Sequence, residues 1–334
     1  MQGGRVQGLC ASEGTGQGYR KAILVNEHFV VYGVPAIAVP VFFPVEVTVA
    51  VRRGKGLRVL VQSSKAQDPR QREDTYRMEA VRRILKAVGL SEAERMVWID
   101  CVDDLPGWSG LGSSAAFCVA LARALCRAVN RPASDEEINR FAYEGERVFA
   151  ANPSGIDNTV ATYGVPLWFE RGGDPAWEPI RFAAPLWLVI GNSGMPSSTR
   201  EEVERVARFR HARPGIFEDL LRDAKSLGRE ARLALEAGNA ERLGSLMDEG
   251  HAMLRRVGVS NGRLDEMVLF CRRQGALGAK LTGAGGGGCM LALVRDAASG
   301  EAVVAGLEQM GYPAICVRMA PCVSEGEPGG PGPG

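Results

Sequence analysis

Metal-ligand chemistry is thin in this sequence. Its three histidines, His28, His211 and His251, are scattered, and its eight cysteines, at 10, 101, 118, 126, 271, 289, 316 and 322, form no C-x-x-C pair. That argues against a zinc site, and free thiols suit a reducing compartment, so a cytoplasmic location is expected. No long block of like charge is present either. Forty Lys+Arg against 39 Asp+Glu give a formal net charge of +1, which speaks against the basic arm of a nucleic-acid binder. Any anionic ligand must therefore be held locally. The longest apolar run, "PAIAVPVFFPVEVTVAV" at 35–51, is interrupted by Pro40, Pro44 and Glu46, so it reads as a strand pair and not as a membrane span. Residues 1–18 are Gly-rich and lack the apolar stretch of a secretion signal.

A chain of 334 residues with 46% hydrophobic and 24% charged residues can bury a full core, and its length suggests two domains. Both ends have little to bury, so 1–18 and 323–334 are expected to be flexible tails outside the fold. Short β-branched runs at 22–25, 29–31, 45–51, 57–62 and 96–102 alternate with a helical pattern at 75–88. Past "RGGDPAWEP" at 171–179 the pattern turns helical, at 200–212, 216–236, 240–256 and 262–274, then gives a Gly-rich loop at 283–288, a strand at 289–294, a helix at 297–310 and a last strand near 314–320. His211 and His251 read as helix-surface residues, and Cys118 and Cys126 as small hydrophobes. An α+β chain with domains at 19–183 and 184–322 follows.

One stretch stands apart. "WSGLGSSAA" at 108–116 precedes a helix, 113–129, that is apolar nearly all round and therefore buried. A helix starting at Ser113 or Ser114 leaves its first N–H groups without partners and places positive partial charge there. Gly110 and Gly112 let the backbone approach a ligand, so Ser109, Gly110, Leu111, Gly112, Ser113 and Ser114 form a candidate phosphate cradle. The alternative is a plain turn with Ser113 as N-cap. Neither G-x-x-x-x-G-K-[ST] nor G-x-G-x-x-G with a following acidic residue is present. A helix end alone contributes only about 0.3–1 kcal/mol to a surface charge, so a triphosphate also needs a metal and a cation. Glu146 and Asp157, in "YEGERVFAANPSGIDNTVATYG" at 143–164, are the candidates. Their alternatives are a solvated helix residue and an Asx-turn.

Three blocks in order resemble the GHMP small-molecule kinases: "KAILVNEHFVVYG" at 21–33, "GLGSSAA" at 110–116 and "KLTGAGGGGC" at 280–289. Within that family the likeness is to the mevalonate kinases, over roughly 19–320. The resemblance implies a two-domain fold, with an N-terminal ATP-binding domain like ribosomal protein S5 domain 2 and a ferredoxin-like C-terminal domain. It also implies ATP and Mg²⁺ as cofactors and mevalonate as the small-molecule substrate, phosphorylated for isoprenoid precursor synthesis. By similarity Ser114 and Glu146 would hold Mg²⁺, Asp157 would be the general base, and Lys21 would lie beside it. Glu27, His28, Thr199 and Ala284 would border the substrate. A homodimer is left open.

Several positions depart from the mevalonate-kinase pattern. Tyr19-Arg20 precede Lys21 where Pro-Gly is usual, Asn26 replaces a glycine before Glu-His, Ala150-Ala151 replace His-Gly, and Ser197 stands where a basic residue is common. With Ser197 uncharged, Arg20, Arg147 or Arg200 is expected to anchor the substrate carboxylate. Two further readings stand beside this one: a GHMP kinase acting on a sugar or another small alcohol, and a non-catalytic nucleotide-binding regulator. A decarboxylase of the same superfamily usually carries Gly-Leu-Ala-Ser-Ser, whereas Gly112 stands here.

Overall fold

The structure, a computed structural model, describes residues 12–63, 75–91, 93, 95–103, 105, 107–150 and 153–320. Its first half runs β1 (Ser12–Val25), a 3₁₀ turn (Phe29–Tyr32), β2 (Ala36–Arg53), β3 (Gly56–Ser63), α1 (Thr75–Val88), β4 (Arg95–Asp103), α2 (Ser113–Ala128), α3 (Asp135–Phe149), α4 (Ile156–Tyr163), β5 (Leu167–Phe169) and β6 (Trp177–Pro179). The sheet order is β3-β4-β2-β5-β6, with β1 paired to the other edge of β2. Among the described residues only β3 and β4 of this sheet pair in parallel, and α1 lies in the crossover that parallel neighbours require. Alternate residues Val45, Val47, Val49 and Val51 of β2 turn toward α2, whose Phe117, Leu121 and Leu125 complete one core.

The contact between β1 and α2 is unusually close. Gly14, Gly16 and Gly18 lie against α2, so that a Cβ at these positions would stand 2.3 Å from Ala124 O, 2.2 Å from Ala120 O and 2.1 Å from Ala116 O. Two strand residues advance about 6.6 Å and four helix residues about 6 Å. Glycine at every second strand position therefore keeps step with Ala116, Ala120, Ala124 and Ala128 at every fourth helix position. Residues 12–18, set aside above as a tail, are thus built into the sheet, paired with β2 from Ser12↔Val51 onward. Residues 1–11 of the first expected tail and the whole of the second, 323–334, lie outside the described residues, as does Ala151.

The second half runs β7 (Leu186–Asn192), α5 (Thr199–Ala212), α6 (Pro214–Glu236), α7 (Ala240–Arg256), α8 (Gly262–Arg273), β8 (Gly278–Leu281), β9 (Cys289–Val294), α9 (Ala297–Gln309) and β10 (Ala314–Met319). Its antiparallel sheet has the order β10-β7-β9-β8. With α5–α8 after the first strand and α9 before the last, this is a βαββαβ unit of the ferredoxin-like kind. Alternate residues of β9 serve two cores. Leu291 and Leu293 pack toward Leu24 and Ile37 of the first half, while Met290, Ala292 and Val294 pack toward α8 and α9.

Four expectations are corrected. The run 35–51 is one strand and not a pair, because an irregularity in the β1–β2 register between Gly18 and Arg20 absorbs the region of Pro44. Residues 29–31 form a 3₁₀ turn, entered through Asn26 at φ 73° and closed by Gly33 at φ 79°. Asn26 is anchored there by donating from Nδ2 to Pro35 O and Ala224 O at 2.7 and 2.9 Å. His251 is buried and not on the helix surface: its Nδ1 accepts from Leu281 N–H and its Nε2 lies 3.2 Å from Asp265. Arg20 is fully buried, paired with Asp103 and donating to Phe43 O, so it cannot serve a substrate.

Candidate active site

Every residue singled out above as catalytic, metal-binding or substrate-bordering lines one cavity of about 670 Å³ between the two halves, and so do all the phosphate-loop residues but one. The exception is Leu111, whose side chain is fully buried in the core between the sheets and whose carbonyl accepts from Lys21 N–H at 3.0 Å. It holds the loop against β1.

Helix α2 begins at Ser113. Gly112 is its N-cap, in the left-handed region at φ 67°, and no side chain caps the helix. Ser113 as N-cap is therefore excluded, and the first-turn amides remain for a ligand at the positive end of the helix. The second glycine loop packs directly on the first, since a Cβ on Gly283 would stand 2.5 Å from Gly110 Cα. The loop is further tied to β1 by Thr282, whose Oγ1 accepts from Ile23 N–H at 3.1 Å.

Lys21 stands on β1, 3% exposed, with Nζ 3.3 Å from Asp157 Oδ1 and 3.3 Å from Gly110 O. Asp157 is the second residue of α4, which follows the Pro153-Ser154-Gly155 turn with Gly155 at φ 96° as N-cap. A carboxylate, an ammonium and an uncapped helix start thus share one wall. At 3.3 Å the pair interacts by about 5 kcal/mol at an effective dielectric of 20, before solvent screening at Asp157. This arrangement can accept a proton from a hydroxyl and neutralise charge on an oxyanion beside it.

Glu146, on α3, is buried. Burial first, and the Asp157 charge second, push its pKa up to about 8, while the Ser114 hydrogen bond and Lys21 oppose the shift. A carboxyl group in that setting is short of a cation, and the Ser114 hydroxyl beside it is a second oxygen donor. The donor set suits a hard divalent ion. Among the described residues no group of three or more His, Cys, Asp and Glu would hold a metal unaided, so phosphate oxygens and water must complete any shell.

At the acceptor end, burial lowers the His28 pKa and keeps the ring neutral. Its Nε2–H donates to Ala284 O at 2.6 Å. Glu27 is bound by Lys280 of β8. Ser197 Oγ donates to Gly285 O. Of the three arginines expected as anchors, Arg200 alone lines the cavity, next to Thr199 at the start of α5, whereas Arg147 pairs with Glu144. Sequence reasoning missed several wall residues, among them Tyr76, Val31 and Asn158.

Comparison with known proteins bears on this geometry. The family model described as "GHMP kinases N terminal domain" matches residues 75–164, and "GHMP kinases C terminal" matches 231–313. A mevalonate kinase of Thermococcus gammatolerans is 34% identical over 296 residues, spanning 83% of this chain and 87% of the relative. The chain belongs to the GHMP kinases. A mevalonate kinase of Aeropyrum pernix is 36% identical over 288 residues, again 83% of this chain and 87% of that protein. Among solved structures, an L. major mevalonate kinase in complex with R-mevalonate superposes with a TM-score of 0.85 at 32% identity, covering 94% of this chain and 98% of that one. The GHMP kinase models cover the helices α1–α4, the end of α6 and α7–α9 with β8 and β9, and so include Ser114, Glu146, Asp157 and the second glycine loop. Among the described residues no helix is long and apolar enough to cross a membrane.

Proposed function

We propose that this protein transfers the γ-phosphoryl group of ATP to the primary alcohol of mevalonate, giving 5-phosphomevalonate in the cytoplasm for isoprenoid precursor synthesis. The observation that carries the chemistry is the Lys21–Asp157 pair beside the uncapped start of α2. Asp157 takes the proton of the acceptor hydroxyl while its oxygen bonds to the γ-phosphorus. The bridging P–O bond to the β-phosphate breaks, and ADP leaves. Lys21 and the first amides of α2 neutralise the charge on the transferring group, which phosphoryl transfer through a loose transition state requires. Glu146 and Ser114 would hold Mg²⁺, which when bound neutralises phosphate charge. No covalent enzyme intermediate is needed.

The carboxylate of mevalonate requires a cation in this cavity, because an unpaired buried charge is costly. We assign that role to Arg200, for which no intramolecular ion pair occurs among the described residues. The second reading, a sugar or another neutral alcohol, is favoured by Ser197, which brings no charge to the acceptor end. A non-catalytic regulator would have no use for a buried lysine held against a carboxylate at the cavity wall. A coupled ADP-release assay with mevalonate and a panel of sugars separates these readings. Arg200→Ala is expected to raise KM for mevalonate by about 10- to 100-fold, the range of a charge-assisted contact. If KM stays parental and diols lacking the carboxylate react equally well, the acceptor is a neutral alcohol and the kinase chemistry still stands.

A further inference from the structure

Helix α4 is eight residues long and runs between two glycines in the left-handed region, Gly155 at φ 96° before it and Gly164 at φ 65° after it. A helix that short is not stable by itself in water, so its orientation is set by what it touches. Ile156 and Val160 share an apolar cluster with Ile23, Ala36 and Ala38 of the sheet. Such contact is non-directional, and alone it would let the helix turn about its axis. Asp157, on the cavity side, would turn with it.

Two polar side chains of α3, one turn apart, remove that freedom. Tyr143 Oη donates to Pro153 O at 3.2 Å, in the turn that leads into α4. Asn139 Oδ1 accepts from Asn158 Nδ2 at 2.5 Å and from Thr162 Oγ1 at 3.5 Å. Asn158 is buried and its Oδ1 has no partner, so the bond to Asn139 is the one that holds its amide among the described residues. Successive residues of a helix lie about 100° apart round the axis. Fixing the buried Asn158 therefore fixes the direction in which its neighbour Asp157 points. Glu146 stands three residues beyond Tyr143, on the same face of α3, and lines the cavity. After burial, the charge of Asp157 is the next cause of the rise in the Glu146 pKa, so the two carboxylates act on one another across the site. Lys21 draws Asp157 toward β1, and neither force sets the spacing from Glu146.

We propose that Tyr143 and Asn139 are positioning residues for phosphoryl transfer: from the helix that carries Glu146 they clasp the turn and helix that carry Asp157, and so set the spacing and direction of the base. The proposal rests on the reading of Asp157 as general base. Neither Tyr143 nor Asn139 belongs to the cavity wall. They act through Asp157 and touch neither the acceptor nor the nucleotide.

The test applies the coupled ADP-release assay to Tyr143→Phe and Asn139→Ala, each alone and combined with Asp157→Asn, using mevalonate or whichever sugar of the panel the parent turns over fastest. Tyr143→Phe keeps the ring and removes one donor, so it carries the test if Asn139→Ala, which leaves a buried amide unpaired, does not fold. Each substitution is expected to lower kcat about three- to tenfold, as for a sub-ångström displacement of a reacting group, with KM for ATP, KM for the acceptor and the half-maximal Mg²⁺ concentration all changed less than about twofold. In the Asp157→Asn background the same substitutions should change the residual rate by less than about twofold, because a residue that acts through the base then has nothing to position. A merely structural role would lower thermal stability and depress the rate by the same factor in both backgrounds. A folded Tyr143→Phe with parental kcat, or with equal losses in both backgrounds, overturns this proposal alone. Parental turnover in Asp157→Asn overturns the base reading and this proposal with it, and so does a parent that phosphorylates none of these acceptors.

Discussion

Gly112→Ala is the substitution that tests the geometry most directly. Gly112 sits at φ 67°, a conformation that costs a residue with a Cβ about 1–2 kcal/mol. The added methyl would stand 3.0 Å from Lys21 Cγ, 3.1 Å from Lys21 Cε and 3.6 Å from Asp157 Oδ2. Ordinary carbon–carbon contact begins at about 3.5 Å, so the lysine must give way by roughly 0.5 Å. Carrying Nζ that far from Asp157 weakens the pair by only about 0.5–1 kcal/mol at an effective dielectric of 20, so backbone strain dominates the loss of stability. Catalysis responds differently. A displacement of about 1 Å at reacting groups costs roughly a hundredfold in rate, and half that displacement is expected to lower kcat about tenfold. Nucleotide-saturated turnover in the coupled ADP-release assay, read beside thermal unfolding, separates the two effects. A folded variant with lowered Tm and parental kcat would refute the reasoning, since it would show that Lys21 need not hold its place against the loop.

Asp157→Asn is expected to lower kcat by about 10²–10⁴ while nucleotide affinity stays within a few-fold, because a general base acts in transfer; parental turnover would remove Asp157 from that role. Glu146→Gln and Ser114→Ala should each raise the Mg²⁺ concentration for half-maximal rate, since each removes an oxygen ligand from a hard cation, and parental titrations would show that they share no metal. Burial lowers the pKa of His251, so below its ordinary value of about 6.5 the unfolded chain binds more protons than the folded one and stability falls as pH falls, by at most about 1.4 kcal/mol per pH unit. His251→Gln should flatten the acid limb of the stability profile measured by denaturant unfolding; an unchanged limb would place the titration elsewhere.

Much of the second half is legible because helices α5–α8 carry apolar residues at three- and four-residue spacing. The same period places His251 on the inward stripe of α7 with Met247 and Leu254, a signal overlooked when histidine is taken for a surface residue. That the candidate phosphate loop, Glu146 and Asp157 line one cavity is legible because each belongs to a short contiguous motif. Arg20 and Lys280 are not, because their partners lie far along the chain: Asp103 is 83 residues from Arg20 and Glu27 is 253 from Lys280. Strand β1 was cut short because strands are sought through β-branched residues. Its decisive residues are glycines, and their meaning appears only when their two-residue step is set against the four-residue alanine step of α2.

That matched ladder bears on how the protein can be trimmed or fused. Glycine-rich starts invite deletion, yet removing residues 12–18 would take away Thr15 O and Gln17 O, the carbonyls that receive Arg127 and Arg123, and would open the alanine face of α2 to water. The damage would surface at the start of the helix, where Gly18 packs on Ala116 and Ser113 and Ser114 line the cavity. A valine at position 18 would act as a wedge under that turn without touching any ligand. Fusion partners and tags therefore belong ahead of Ser12, with the glycine ladder left whole.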